Sequence, residues 1–319
     1  MAGNCTNKLS EEALLHFSVV YIVFICIGGI ICNVVALWCV ARCQRTITPV
    51  KVILGAIFSC TLLLCLVELP FMAHLNLVIL RCDKIPTMVM EGVLISCLVL
   101  SNMELFYISI MAFLRARAVW APLRGPVTLR RAVAVVVGAG FYFLFVTMVS
   151  QASQWMELVN VNYVLTRVYC VVHFFLPVLC TIVCYLSTIV AVRRNKRNLP
   201  VGHHTAAVTQ VTDEATRAML AVFLSNLVLS FPYSIHYIQP VSYSFTIRVV
   251  ITMVYFTRLF VDPLVFVCFN RHHRRHVLQG LKLCLGRNPR EEGESPYTQS
   301  SSALGVTTRG EAKPQGNTC

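Results

Sequence analysis

An ionisable side chain placed in hydrocarbon costs about 3 kcal/mol to insert, so the first residues to read are the few charges inside long apolar runs. Glu104 stands in Leu98 to Met111, and Arg258 and Asp262 stand in Thr246 to Phe269. Arg258 and Asp262 are four apart, hence on one face of a helix. Glu104 precedes Arg115 by eleven residues, three helical turns, so both point to the same side of one helix. An acid, a guanidinium and a second acid can form an internal ionic cluster. Two readings of it stay open: a static structural ion pair, and an element that switches partner. An intramembrane enzyme would want acids paired with each other or a metal set, whereas here a guanidinium stands with the acids, so neither an enzyme nor a cofactor is expected. The His272/His276 pair has i, i+4 spacing, but on a basic helix it reads as a solvated face.

The elements that must position these residues follow from composition. The chain has 319 residues, 57% of them hydrophobic and only 13% charged, with mean hydropathy +0.70. Soluble domains carry about 25% charged residues, and no soluble fold of this size hides so much apolar side chain. A bilayer core about 30 Å thick needs roughly 20 apolar residues per spanning helix. Seven runs qualify, at 14–40, 50–80, 87–114, 132–154, 163–192, 215–239 and 246–269. The fold class expected is an all-α membrane protein, a seven-transmembrane helix bundle. The first run, about 27 residues, is too long for the core of a cleavable signal peptide. Phe269 to Leu285 interleaves Arg271, His272, Arg274, Arg275 and Lys282 with Val277, Leu278 and Leu281, which reads as a C-terminal amphipathic helix on the membrane surface. The domain organisation is therefore a tail over 1–13, a bundle over 14–269, a surface helix over 270–285 and a disordered tail over 286–319. Cys284 is a palmitoylation candidate.

Net charge is +13, which in a soluble protein would raise nucleic acid as a partner. Here the basic residues sort by loop. Seventeen Lys and Arg fall on the side that holds Arg42, Arg117, Arg130, Arg193 and Arg274, against five on the side of Lys8, Arg81 and Arg248. That asymmetry places the N-terminus outside and the C-terminus in the cytoplasm. The basic excess is an orientation signal and an attraction to anionic lipid, and no nucleic acid is expected. Most of the 15 cysteines lie in apolar runs as small hydrophobes. Cys5 and Cys82 alone fall in clearly extracellular segments, where they either bridge or stay as two thiols. Asn4-Cys5-Thr6 is an acceptor sequon for glycosylation.

The inner end of the third run, Leu114-Arg115-Ala116-Arg117-Ala118-Val119-Trp120-Ala121-Pro122-Leu123-Arg124, resembles the DRYxAVxxPLR pattern of rhodopsin-like (class A) G-protein-coupled receptors. Asn33 resembles their first-span asparagine. Pro177 with Tyr185 resembles the fifth span, Phe231-Pro232-Tyr233 the sixth, and Asp262-Pro263-Leu264-Val265-Phe266 the seventh-span NPxxY box. The matches run in order over about 250 residues. Glu104 and Met111-Ala112-Phe113 are also similar to the odorant-receptor branch. The resemblance implies a plasma-membrane receptor that passes ligand binding to a heterotrimeric G protein, with arrestin as a further partner and Arg115 and Tyr185 facing the G protein. It also places Glu104, Arg258 and Asp262 at the family's sodium pocket, with the guanidinium standing in for the ion. Departures are specific: Leu114 replaces the acid before Arg115, Ala116 the tyrosine, Thr61 the second-span Asp, and Met90 the third-span cysteine. They leave open a second reading, a seven-span protein that has lost coupling and acts as scaffold, decoy or chaperone.

Carried over residue by residue, the resemblance puts a ligand pocket at Cys97 and Ser101, at Tyr169 and His173, at Tyr233, His236 and Tyr237, and at Arg248 and Thr252. Cys97 stands where amine receptors carry Asp, which disfavours a biogenic amine. Arg248 with His236 and Tyr237 would suit an anionic group such as a carboxylate or phosphate on a small ligand.

Overall fold

A computed structural model describes residues 5–43, 46–81, 83, 87–120, 127–155, 167–169, 171–198, 203–238, 244–270, 274–275 and 277–279. With no water in a bilayer to satisfy N–H and C=O groups, an apolar chain must close its hydrogen bonds within each segment. The described residues do so as helices: α1 (Cys5–Arg42), α2 (Thr48–Arg81), α3 (Thr87–Trp120), α4 (Leu129–Trp155), α5 (Leu176–Asn198), α6 (His203–Ile238) and α7 (Phe245–Phe269). A π-helical turn, Val171–Phe175, leads into α5 just ahead of Pro177. Among the described residues, seven helices are long and apolar enough to cross a membrane. The protein is a multi-pass, all-α seven-helix bundle. Phe141, Val20, Phe145 and Val228 are each about two-thirds exposed, as lipid-facing side chains would be.

Helix ends depart from the apolar runs in a consistent direction. α1 already begins at Cys5 and α6 at His203, so helix continues into polar sequence at both. Hydropathy sees only the apolar part of a helix, whereas propagation adds one hydrogen bond per residue once a nucleus exists. Residues 274–275 and 277–279 are helical, and the Arg274 amide donates to the Asn270 carbonyl at 2.9 Å. Arg274 and Arg275 are exposed and Val277 packs on the core, the alternation expected of an amphipathic helix. Residues Met1–Leu278 form one compact unit; Gln279–Cys319 forms another, of which Gln279 alone is described. Asn4, Cys82 and Cys284 lie outside the described residues, as does the side chain of Cys5.

α1 packs on α2 and α7, and α6 packs on α7. α3 touches α2, α4, α5 and α6 and is the axis of the bundle. Tyr107 of α3 donates to the Val136 carbonyl of α4 at 2.8 Å, and Trp120 Nε1 donates to Ser187 Oγ of α5 at 2.6 Å. Side chains buried at these contacts fall into two clusters. One gathers Phe58, Ile108, Phe143, Tyr185, Phe223 and Phe266, and the other Ile22, Leu64, Leu69, Phe256 and Leu259.

Prolines inside α2, α6 and α7 each remove one backbone donor. On α7 the consequence is visible. Pro263 cannot donate to the Leu259 carbonyl, and Asn33 of α1 does so instead, Nδ2 to O at 3.0 Å. The same amide donates to the Gly29 carbonyl at 2.8 Å and is fully buried. A missing hydrogen bond on one helix thus fixes a second helix against it. Gly29 permits the approach: a Cβ there would lie 2.7 Å from Cys65 Sγ and 3.4 Å from the Leu259 carbonyl oxygen.

Candidate functional site

Glu104, Arg258 and Asp262 are each no more than 2% exposed, brought together from α3 and α7. Arg258 Nη1 donates to Glu104 Oε2 in a buried ion pair. Its Nη2 donates to Tyr255 Oη at 2.8 Å and to Ser101 Oγ at 3.2 Å, and those two hydroxyls share a further hydrogen bond of 2.9 Å. The guanidinium carbon lies 4.5 Å from the centre of the Tyr255 ring, within reach of a cation–π interaction.

Asp262 joins this arrangement through α6. Its Oδ1 accepts from Ser225 Oγ at 2.5 Å and its Oδ2 from Asn226 Nδ2 at 3.0 Å. The same Asn226 nitrogen donates to Glu104 Oε1 at 3.3 Å. A primary amide has two N–H donors, and here they link two carboxylates on different helices. The ion pair is therefore Glu104 with Arg258, and Asp262 is tied in by Asn226. One helical turn separates Asp262 from Arg258, and that turn carries the carboxylate toward α6.

A cavity of about 320 Å³ opens above the cluster, between α2, α3, α6 and α7 and the residues ahead of α5. Cys97, Ser101, Tyr169, His173, Tyr233 and Thr252 line it, as do Glu68, Asn102, Asn226 and Arg258. Arg258 therefore belongs to both the cavity wall and the ion pair. Arg248 lies outside the lining and is exposed in the first turn of α7, while His236 is half-buried and also outside it. The side chain of Tyr237 is not among the described residues. The anion-binding trio expected at the mouth is thus not gathered on the cavity wall: Arg248 stands one turn beyond Thr252, whose hydroxyl donates back to the Arg248 carbonyl at 2.9 Å.

At one side of the cavity Tyr169, His173 and Asn102 form a polar network. Asn102 Nδ2 donates to Tyr169 Oη at 2.7 Å, and Thr147 Oγ1 shares a hydrogen bond with that oxygen at 3.2 Å. His173 Nε2 pairs with Tyr142 Oη at 2.9 Å and its Nδ1 with the Tyr169 carbonyl at 3.0 Å. His173 is consequently engaged on both ring nitrogens, by Tyr142 of α4 and by the carbonyl of Tyr169. Its ring is only 4.5 Å from that of Tyr169.

Arg115 is half-buried near the end of α3, within electrostatic reach of Tyr185 of α5. Tyr185 stacks on Phe223 of α6 with 5.8 Å between ring centres. Among the described residues no three His, Cys, Asp or Glu side chains gather to hold a metal ion.

The residues that sequence reading missed are Glu68, Asn102, Ser225, Asn226 and Tyr255. Glu68 carried a signal, since it is an acid inside an apolar run, the same criterion that singled out Glu104. The others are uncharged and had none. No protein-family model matches this chain. No curated protein matches it either.

Proposed function

We propose that this protein is a plasma-membrane receptor of the rhodopsin-like type, which passes ligand binding within the bundle to a heterotrimeric G protein through the Arg115 region. In this reading the N-terminus is extracellular and the C-terminus cytoplasmic. One observation carries it: Arg258 lines the ligand-sized cavity while its guanidinium holds Glu104 on α3, the helix that ends at Trp120 just past Arg115. A ligand touching Arg258 has a direct lever on α3, and through Asn226 on α6. A ligand can shift a two-state bundle only by the difference in its affinity for the two states, and a polar contact on one limb of an ion pair supplies such a difference.

The test is recruitment of each G-protein class in cells, basal and across a ligand library, for the wild type and Arg115→Ala at matched surface expression. Lower recruitment by Arg115→Ala supports the reading. Equal signals in every class favour the second reading, a receptor-like protein without coupling, to which Leu114 and Ala116 beside Arg115 lend support.

A further inference from the structure

Among the described residues Glu68 is the one cavity-lining carboxyl, and none of the cluster's hydrogen bonds given above ends on it. It lies in α2 two residues before Pro70 and is 8% exposed. Its Oε2 is buried without a hydrogen-bond partner among the described residues. Cys97 of α3 hydrogen-bonds its carboxyl group, and Arg258 and Tyr255 are close enough to feel its charge. Arg258, the cavity's guanidinium, gives Nη1 to Glu104 and Nη2 to Tyr255 and Ser101, and its Nε has no partner among the described residues. The guanidinium on the wall is therefore ion-paired with Glu104 and reaches Glu68 only at longer range, which leaves Glu68 with a thiol donor and no ion pair among the described residues.

An unpaired acid in an apolar, partly closed space is costly, and a cation entering the cavity would relieve that cost. Much of the surrounding wall is apolar or aromatic, including Phe71, Met72, Tyr233 and Phe256. Tyr255 is already engaged by the Arg258 guanidinium and by Tyr233 stacked on it, so the cavity aromatics left to favour a nearby ammonium are Tyr233 and its apolar neighbours. We propose that Glu68 is the recognition point for a protonated amine on a ligand whose apolar body fills this cavity. This deepens the receptor reading by naming a ligand class, and it reverses the expectation drawn from Cys97 and Arg248. That expectation weighed the third, sixth and seventh spans only, whereas the acid comes from the second span and sits beside Cys97.

The experiment uses the full chain in phosphatidylcholine nanodiscs, which carry no net lipid charge, with empty discs as the partition control. Three matched probes are titrated calorimetrically: 4-phenylbutylammonium, 4-phenylbutanol and 4-phenylbutyrate. A charge-assisted hydrogen bond is stronger than a neutral one, so the wild type binds the amine at least about tenfold tighter than the alcohol, with the carboxylate weakest. Glu68→Gln brings the amine to the level of the alcohol and leaves the alcohol unchanged. Glu68→Asp, which keeps the charge, keeps the ranking. Equal binding of the three probes, preference for the carboxylate, or no amine binding to the wild type overturns the proposal, and none of these requires a variant to fold. An amine preference that survives in folded Glu68→Gln overturns it too. Because no G protein is present, an amine-binding protein that fails the recruitment test refutes the receptor reading and leaves this site standing.

Discussion

Breaking the Glu104–Arg258 pair is the perturbation whose outcome the geometry specifies most closely. Two opposite unit charges about 4 Å apart at an effective dielectric near 20 attract by about 4 kcal/mol. Each desolvated group has already lost its water, so removing one partner leaves the other charged, buried and unpaired, a loss of about 3–5 kcal/mol. Glu104→Leu would leave the guanidinium hydrogen-bonded only to the neutral Tyr255 and Ser101, with Asp262 acting on it at longer range. Arg258→Met would leave Glu104 with a single long bond from Asn226 at 3.3 Å. The double variant removes both charges and fills the space with apolar volume, and such replacements are commonly neutral or stabilising. The expected result is non-additive: each single variant loses about 3–5 kcal/mol and the double loses less than either. Thermal unfolding of the full chain in one detergent, over the four members of the cycle, reads the coupling directly. A double variant as unstable as the sum of the singles would refute the reasoning, because the two groups would then be neighbours without being partners.

Other consequences are as definite. If the pair is a switch, Arg258→Gln changes basal G-protein recruitment at equal surface expression, and identical basal signals would leave it a static structural pair. Asn33→Leu strands the Leu259 carbonyl that Pro263 cannot serve and costs about 1–3 kcal/mol in thermal unfolding. In a Pro263→Ala background, where residue 263 regains an N–H, that cost shrinks; an undiminished cost would show that the carbonyl bond is not the reason for Asn33. Gly29→Ala drives a Cβ to 2.7 Å from Cys65 Sγ and lowers stability by about 1–3 kcal/mol, a loss that Cys65→Ala partly restores. Non-reducing peptide mapping decides Cys5 and Cys82: a linked peptide establishes the bridge, and alkylation of both removes it.

Spans were legible because hydrophobic length is a one-dimensional property. A bilayer imposes one thickness on every crossing helix, so a window of apolar residues marks each of α1 to α7 wherever its partners lie. The Arg258 and Asp262 pairing of faces was legible for a similar reason, since helical periodicity relates residues four apart without any fold. Helix ends were not: α6 begins at His203, within polar sequence, because hydropathy does not report where a helix stops propagating.

Contacts between helices were decided by the tertiary structure alone. Sequence placed Glu104, Arg258 and Asp262 near one another, yet which acid pairs with the guanidinium depended on the approach of α6. That helix brings Ser225 and Asn226 onto Asp262, and Asn226 onto Glu104. Neither residue carries charge or any periodic signature. Arg248 had the right chemistry for a pocket and stands exposed at the start of α7, whereas Glu68 had the same signature as Glu104 and acquires its meaning from the cavity beside it. Charge and hydrophobicity are properties of single residues and survive in a string of letters. Whether a charged group is paired, stranded or offered to a ligand depends on which helix faces it, and long-range packing alone fixes that.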